Sequence, residues 1–247
     1  MKRNSDTNMT DWTTLVQDLF ERLLQHLPGR RWVLPIAGVL LAVGVLTARD
    51  SGLPAEAAPF HKRTLALEFA RTQEAVIRLA PTKDLQQQLT KGLQLDSTVI
   101  IPIYWIFFIG VSAFMYGSQA PWKGVWLILV PLTISLTAVA DQIENLSALA
   151  ALDSRSGVAS LHAAAVLKWG GLGVSCALTA VGFFRSGRWA LPAAIAYLGC
   201  ALVMGYALLY CEPRVEIAFA LLGIAVALTG EAVRSVKRFP LPHGLDN

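Results

Sequence analysis

Apolar residues in this chain fall into six runs, each about as long as a bilayer is thick, separated by short polar turns and by one long polar stretch. A hydrocarbon core of about 30 Å takes roughly 17–25 helical residues to cross. The first run covers 32–48, between Arg30-Arg31 and Arg49-Asp50. The second covers 98–116 and contains Pro102, and the third covers 125–152 and contains Pro131. The fourth, fifth and sixth cover 158–184, 189–210 and 215–233. The third is some 28 residues long. At 1.5 Å per residue that is roughly 42 Å, so this helix is expected to tilt or to project from the membrane. A secretory signal competes for the first run, because Ala55-Glu56-Ala57 has a small-x-small pattern. The long charged leader and the distance of that site from the apolar core favour an uncleaved span.

Two further stretches are amphipathic. In residues 12–27, Trp12, Leu15, Val16, Leu19, Phe20, Leu23, Leu24 and Leu27 share one half of a helix, and Gln17, Asp18, Glu21, Arg22 and Gln25 the other. That pattern suits a helix lying in the interface, or one packed on the protein's own membrane domain. Residues 62–80 read as a second such helix, with Leu65, Phe69, Val76, Leu79 and Ala80 on one face and Arg71, Glu74 and Arg78 off it. Pro81 ends it, and Thr82 is placed to cap a further helix that runs from Lys83 through Leu85, Leu89 and Leu93 into the second span. The chain thus divides into an amphipathic leader (1–30) and a membrane bundle (31–247), of which 49–95 is a helical extramembrane loop. Small residues at helix-packing spacing recur at Gly171 and Ser175, Ala201 and Gly205, and Gly223 and Ala227.

Composition supports the same class. Hydrophobic residues make up 54% and charged residues 15%, against a soluble norm of roughly a quarter charged, and the mean hydropathy is +0.50. The net charge of +4 comes from cations that mostly flank the apolar runs. There they orient a membrane protein or touch anionic headgroups, and no nucleic-acid motif accompanies them. With six spans both termini share a side. That side collects eleven Lys and Arg, whereas the opposite short loops hold Arg155 and Arg214 alone. The long loop carries seven cations and five carboxylates and weighs less in the rule. The expectation is a multi-pass protein of the inner (cytoplasmic) membrane with both termini cytoplasmic. Cys176, Cys200 and Cys211 form no disulfide framework, and cysteines in mid-span pack as small apolar residues.

The chemistry is concentrated in the third run. Asp141, Glu144 and Asn145 are spaced i, i+3, i+4 and share a helix face that Thr137 and Thr133 extend. A central intramembrane Asp costs roughly 2.5–3.5 kcal/mol on insertion scales, and such groups face the bundle interior or a wet cavity. Folding the chain at Arg155-Ser156 sets Lys168 level with Asp141 and Glu144. Folding it at Gln119-Ala120 sets Asp96 level with Glu144. The predicted cluster is therefore Asp96, Asp141, Glu144, Asn145 and Lys168. Tyr104 reaches inward, His162 lies about a turn and a half outward, and Glu212, Arg214 and Glu216 edge the same side.

Two readings stay open. The cluster is a buried ion-pair network that sets helix register, or its excess of carboxylates carries a proton or binds a cation. A metal is not expected, since His26, His61, His162 and His243 fit no zinc motif, although a hard cation on oxygen ligands stays open. No Ser lies in G-x-S-x-G. Gly170-Gly171-Leu172-Gly173 lies inside an apolar run and is a packing surface. A Lys–Asp or Glu–His acid–base pair acting on a lipid is a further alternative.

The order Leu65-x-Leu67-Glu68-Phe69-Ala70, then Leu95-Asp96 leading into a span with Tyr104, then Asp141-x-x-Glu144-Asn145, resembles an uncharacterised group of small bacterial multi-pass membrane proteins. The resemblance covers roughly 64–150, and the leader and first span look like an addition to that pattern. It implies a membrane fold with these acidic positions in it, and no assigned activity. The expectation is thus an all-α polytopic helix bundle with two peripheral amphipathic helices and no cofactor. Its function is expected to be non-enzymatic: binding or passing a small ligand, cation or proton, or serving as an accessory subunit. A lipid-directed enzyme and a structural scaffold are the alternatives. Its partners would be the lipid bilayer and other membrane subunits or further copies of itself, with no nucleic acid.

Overall fold

A computed structural model describes residues 30–47, 50, 53–54, 60–117, 123–153, 157–210 and 212–238. The predicted leader helix at 12–27, the turn at Arg155-Ser156 and Cys211 lie outside them. Among the described residues the fold is all-α, with no strand. Helix α1 is Arg30–Thr47, α2 Arg63–Glu68, α3 Gln73–Leu79 and α4 Lys83–Leu95. Helix α5 is Ile101–Gly117, α6 Lys123–Leu152, α7 Val158–Arg185, α8 Leu191–Tyr210 and α9 Val215–Arg238. The six apolar runs are all helical. Four helical stretches among the described residues are long and apolar enough to cross a membrane: Lys83–Met115, Val158–Arg185, Leu191–Tyr210 and Glu212–Val233. They mark the chain as a membrane protein. The first run forms α1, a helix of 18 residues, and the third forms a helix of 30 residues with a polar stripe.

Helices α6, α7, α8 and α9 pack in chain order, α5 lies on α6, and α1 lies on α9. The α6–α7 hairpin turns at Gly157, whose φ of +138° a side chain would strain. Contact between α1 and α9 rests on absent side chains. A Cβ on Gly38 would run into the Gly223 carbonyl and Ala227, and one on Gly223 would lie 2.7 Å from the Gly38 carbonyl. Close backbone approach through small residues is how helices associate where lipid is as apolar as the side chains. The predicted Gly223 and Ala227 pair serves this contact. Gly171 and Ser175 serve α6–α7, where Gly171 lies against Thr137. Gly205 does not pack as expected: it faces open space, and its neighbour Met204 fills the helix interface.

The long loop differs from the single helix expected over 62–80. It forms α2 and α3, broken at 69–72, because the Thr72 hydroxyl accepts from the Ala75 amide and starts a new helix. Thr82 caps α4 in the same way, accepting from the Leu85 amide. These helices share one core with the spans. Leu65, Leu67, Phe69, Val76 and Leu79 are buried in the same apolar cluster as Leu161, Ala165 and Trp169.

Helix α4 runs into α5 through one wide turn, Asp96–Ile100, with π-helical pairing. Leu89 and Leu93 are buried on α4, and Ile101 and Phe108 on α5. A straight α-helix turns about 100° per residue, which would carry Ile101 roughly 80° away from the Leu89 and Leu93 stripe. A π turn advances less per residue and cancels that offset. It lets a loop helix and a span bury one continuous face.

Candidate functional site

The polar face of α6 is enclosed. Asp141, Glu144 and Asn145 are buried, Glu144 completely. Opposite them, Lys168 of α7 is 7% exposed. Its ammonium lies 2.7 Å from Glu144 Oε2 and 3.3 Å from Asp141 Oδ1. The hairpin register read from the sequence therefore holds: the cation and the two acids meet at one depth because each is too costly to bury alone.

A third carboxylate completes the set, and the sequence reading did not place it there. Glu68, the last residue of α2, puts Oε2 3.0 Å from Lys168 Nζ and accepts a hydrogen bond from the Trp169 indole at 2.9 Å. Three ammonium hydrogens thus face three carboxylates, and Nζ also lies 4.8 Å from the Trp169 ring centroid. Burial pushes the Glu68 carboxyl above its usual range, against the pull of the Lys168 ammonium. One signal for Glu68 was present. It stands in the same motif order as Asp96 and Asp141, but in a stretch where charges are common.

The other predicted residues surround this core. Tyr104 on α5 donates its hydroxyl to Asp141 Oδ2 at 3.0 Å. Asp96 does not reach Lys168. It accepts from the Asn145 amide at 2.8 Å, and the same amide donates to the Ser97 hydroxyl at 3.0 Å. Gln142 donates to the Ser97 carbonyl at 2.9 Å, so the wide turn is pinned to α6 by two amide side chains. His162 stands apart from the ion pairs, its ring edge against Phe69 at a centroid distance of 6.2 Å. Its Nδ1 is buried without a hydrogen-bond partner, as is Oε1 of Glu144.

Of the residues expected to edge the same side, two hold the loop. Glu216 accepts the His61 backbone amide at 2.7 Å and pairs with its ring, and Glu212 pairs with Arg71. Arg214 is exposed. Below the cluster the stripe closes. The Thr137 and Thr133 hydroxyls donate to the carbonyls of Thr133 and Leu129, four residues back, and Ser175 Oγ lies 3.0 Å from Thr133 Oγ1.

In chemical terms this is a buried cluster of three carboxylates, an ammonium, a phenol and an amide. It has proton donors and acceptors in excess and no activated nucleophile. Comparison with protein-family models, with curated proteins and with solved structures finds no match to this chain.

Proposed function

We propose that this membrane protein works through reversible occupation of its buried acidic cluster by a small cation, with the proton as the occupant the geometry fits best. The observation that carries this reading is an imbalance of charge. Glu68, Asp141 and Glu144 converge on Lys168, so full ionisation would leave two uncompensated negative charges in a medium where each is costly. Asp141 and Glu68 have oxygens that accept from Tyr104 and Trp169, which suits their ionised forms. Glu144 is completely buried and its Oε1 has no donor. It is therefore the residue we assign to hold the proton, with Lys168 keeping the site poised between one and two charges. No nucleophile faces the cluster, which favours a binding role over catalysis on a lipid.

A second reading is favoured by the match of three ammonium hydrogens to three carboxylates: a structural pin joining α2, α6 and α7. Infrared difference spectroscopy of the purified protein across a pH titration separates the two. A protonated carboxyl band that titrates and vanishes in E144Q supports the binding role. Absence of any such band, together with a full replacement of the cluster by apolar residues that leaves cellular function intact, would establish the pin.

The expectation of six spans in the inner membrane with cytoplasmic termini belongs with this reading. The alternating helix directions support it, since the α2–α3 loop, the α6–α7 turn and the α8–α9 turn meet on one face through Gln73 to the Ala151 carbonyl and Arg71 to Glu212. Reporter fusions after Arg155 and after Arg188 test the orientation.

A further inference from the structure

Three members of the ion-pair cluster stand on helices of the bundle, Asp141 and Glu144 on α6 and Lys168 on α7, and the fourth comes from the loop. Glu68 is also the most open of the four: its side chain is 13% exposed, against 8%, 5% and 0% for Lys168, Asp141 and Glu144. Its Oε2 lies 3.0 Å from Lys168 Nζ, and Glu144 Oε2 lies 2.7 Å from the same nitrogen. The loop's carboxylate and the innermost one therefore share a single ammonium. Toward the middle of the bundle the cluster is sealed by packing, with Gly171 against Thr137 and with Val130 and Ile134 fully buried. On the loop side the cover is α2, which is anchored at both ends. The His61 ring and the Lys62 amide pair with Glu216, and Arg71 pairs with Glu212. Glu68 lies between these anchors, where α2 ends and the chain is non-helical over 69–72.

We propose that the loop over 63–72 is a gate set by the charge on Glu144, shut over the protonated cluster and opened when Glu144 ionises. This rests on the reading of the cluster as a proton-binding site and adds how that site is opened and shut. With Glu144 protonated, Glu68 meets one ammonium and the Asp141 carboxylate, whose charges offset each other. With Glu144 ionised, Glu68 meets one ammonium and two carboxylates, and the excess repels it at close range where screening is weak. Leu65 and Leu67 stay buried beside the bundle, so the opening is local and lifts the end of α2. The proton leaving Glu144 passes to water that enters where Glu68 stood. The coupling is reciprocal: lifting Glu68 away makes the ionised form of Glu144 easier to hold. Other titratable groups stand around these two acids. Tyr104 of α5 donates to Asp141, Asp96 of the wide turn accepts from Asn145, and His162 of α7 packs on Phe69. The His61–Glu216 anchor needs a control, because an imidazole that loses its charge between pH 5 and 8 would loosen the loop in the same direction.

The test is hydrogen–deuterium exchange of the 63–72 amides, read by mass spectrometry as protection factors over a pH series. The Glu144 infrared band is followed on the same protein. In the native protein, protection is expected to fall at least about tenfold as that band is lost with rising pH. In E144Q it should stay at its low-pH level, and in H61N it should fall as in the native protein. Native protection that does not follow the band overturns the gate without any variant. So does a fall in E144Q as large as the native one, or the loss of the fall in H61N, which would assign the response to the anchor. If the native protein shows no Glu144 band, the binding role itself fails. A band that titrates beneath a loop of constant protection removes only the gate.

Discussion

Trp169 donates its indole N–H to Glu68 at 2.9 Å across 101 positions of chain, and the residue before it, Lys168, holds the same carboxylate oxygen at 3.0 Å. Consecutive residues of α7 therefore grip the end of a short loop helix. A six-residue helix is too short to be stable alone, so α2 owes its place to this grip and to the buried Leu65 and Leu67 beside it.

Replacing Glu68 with Ala leaves both the indole and the ammonium short of a partner. Breaking a buried pair costs about 3–5 kcal/mol, and the partial exposure of Glu68 puts this case at the low end. The loop over 60–80 should then become sensitive to limited proteolysis in detergent, while α6 and α7 remain protected. A loop as resistant as in the native protein would show that the apolar contacts suffice.

Lys168→Met removes the cation that three carboxylates share. Destabilisation of about 3–5 kcal/mol is expected from an uncompensated buried charge. Adding E144Q and D141N to K168M should restore most of it, because removing both signs together costs little. Thermal unfolding of the single and triple variants in one detergent checks this. A triple variant no more stable than K168M would mean that the acids are not what the lysine compensates.

The raised Glu68 carboxyl fixes the sign of a pH effect. A group whose folded-state pKa lies above its unfolded value, here near 4.5, contributes stability that is fully present below that unfolded value. The contribution is lost as pH rises through the folded pKa. The native protein should therefore lose stability relative to E68Q as pH climbs from about 4.5. Melting temperatures of the two proteins over a pH series test this, and parallel curves would remove Glu68 from the titrating set.

Gly38→Leu should push α1 off α9, because even a Cβ there meets the backbone of Gly223 and Ala227. Overpacking of this kind costs about 1–3 kcal/mol. Gly205→Leu, at a glycine with open space around it, should change stability little. Cysteine cross-linking between α1 and α9 in the two backgrounds distinguishes them.

What could be read from the sequence follows the cost of each feature. Asp141, Glu144 and Lys168 were legible as neighbours because charges inside apolar runs must find each other at one depth, and hairpin lengths supply the depth. The apolar runs themselves gave the all-α fold. Glu68 was not legible as a partner, since a charge in a polar loop carries no penalty that demands one. The break between α2 and α3 hinges on Thr72 capping the second of them, against an apolar periodicity that runs straight through it. Gly223 and Gly205 have the same local spacing, and only the approach of another helix tells them apart. Asn145 is buried beside the ion pairs, yet its amide turns to Asp96 and Ser97, which the wide turn brings within reach.

That wide turn has a mechanical consequence. From Lys83 to Gly117 the chain is one rod, with Asp96–Ile100 as its single irregular segment. Twisting of α4 about its own axis reaches Tyr104, and so Asp141, along the chain through those five residues. With Asn145 and Gln142 clamped onto it, the turn acts as a torsional joint between α4 and the acidic cluster.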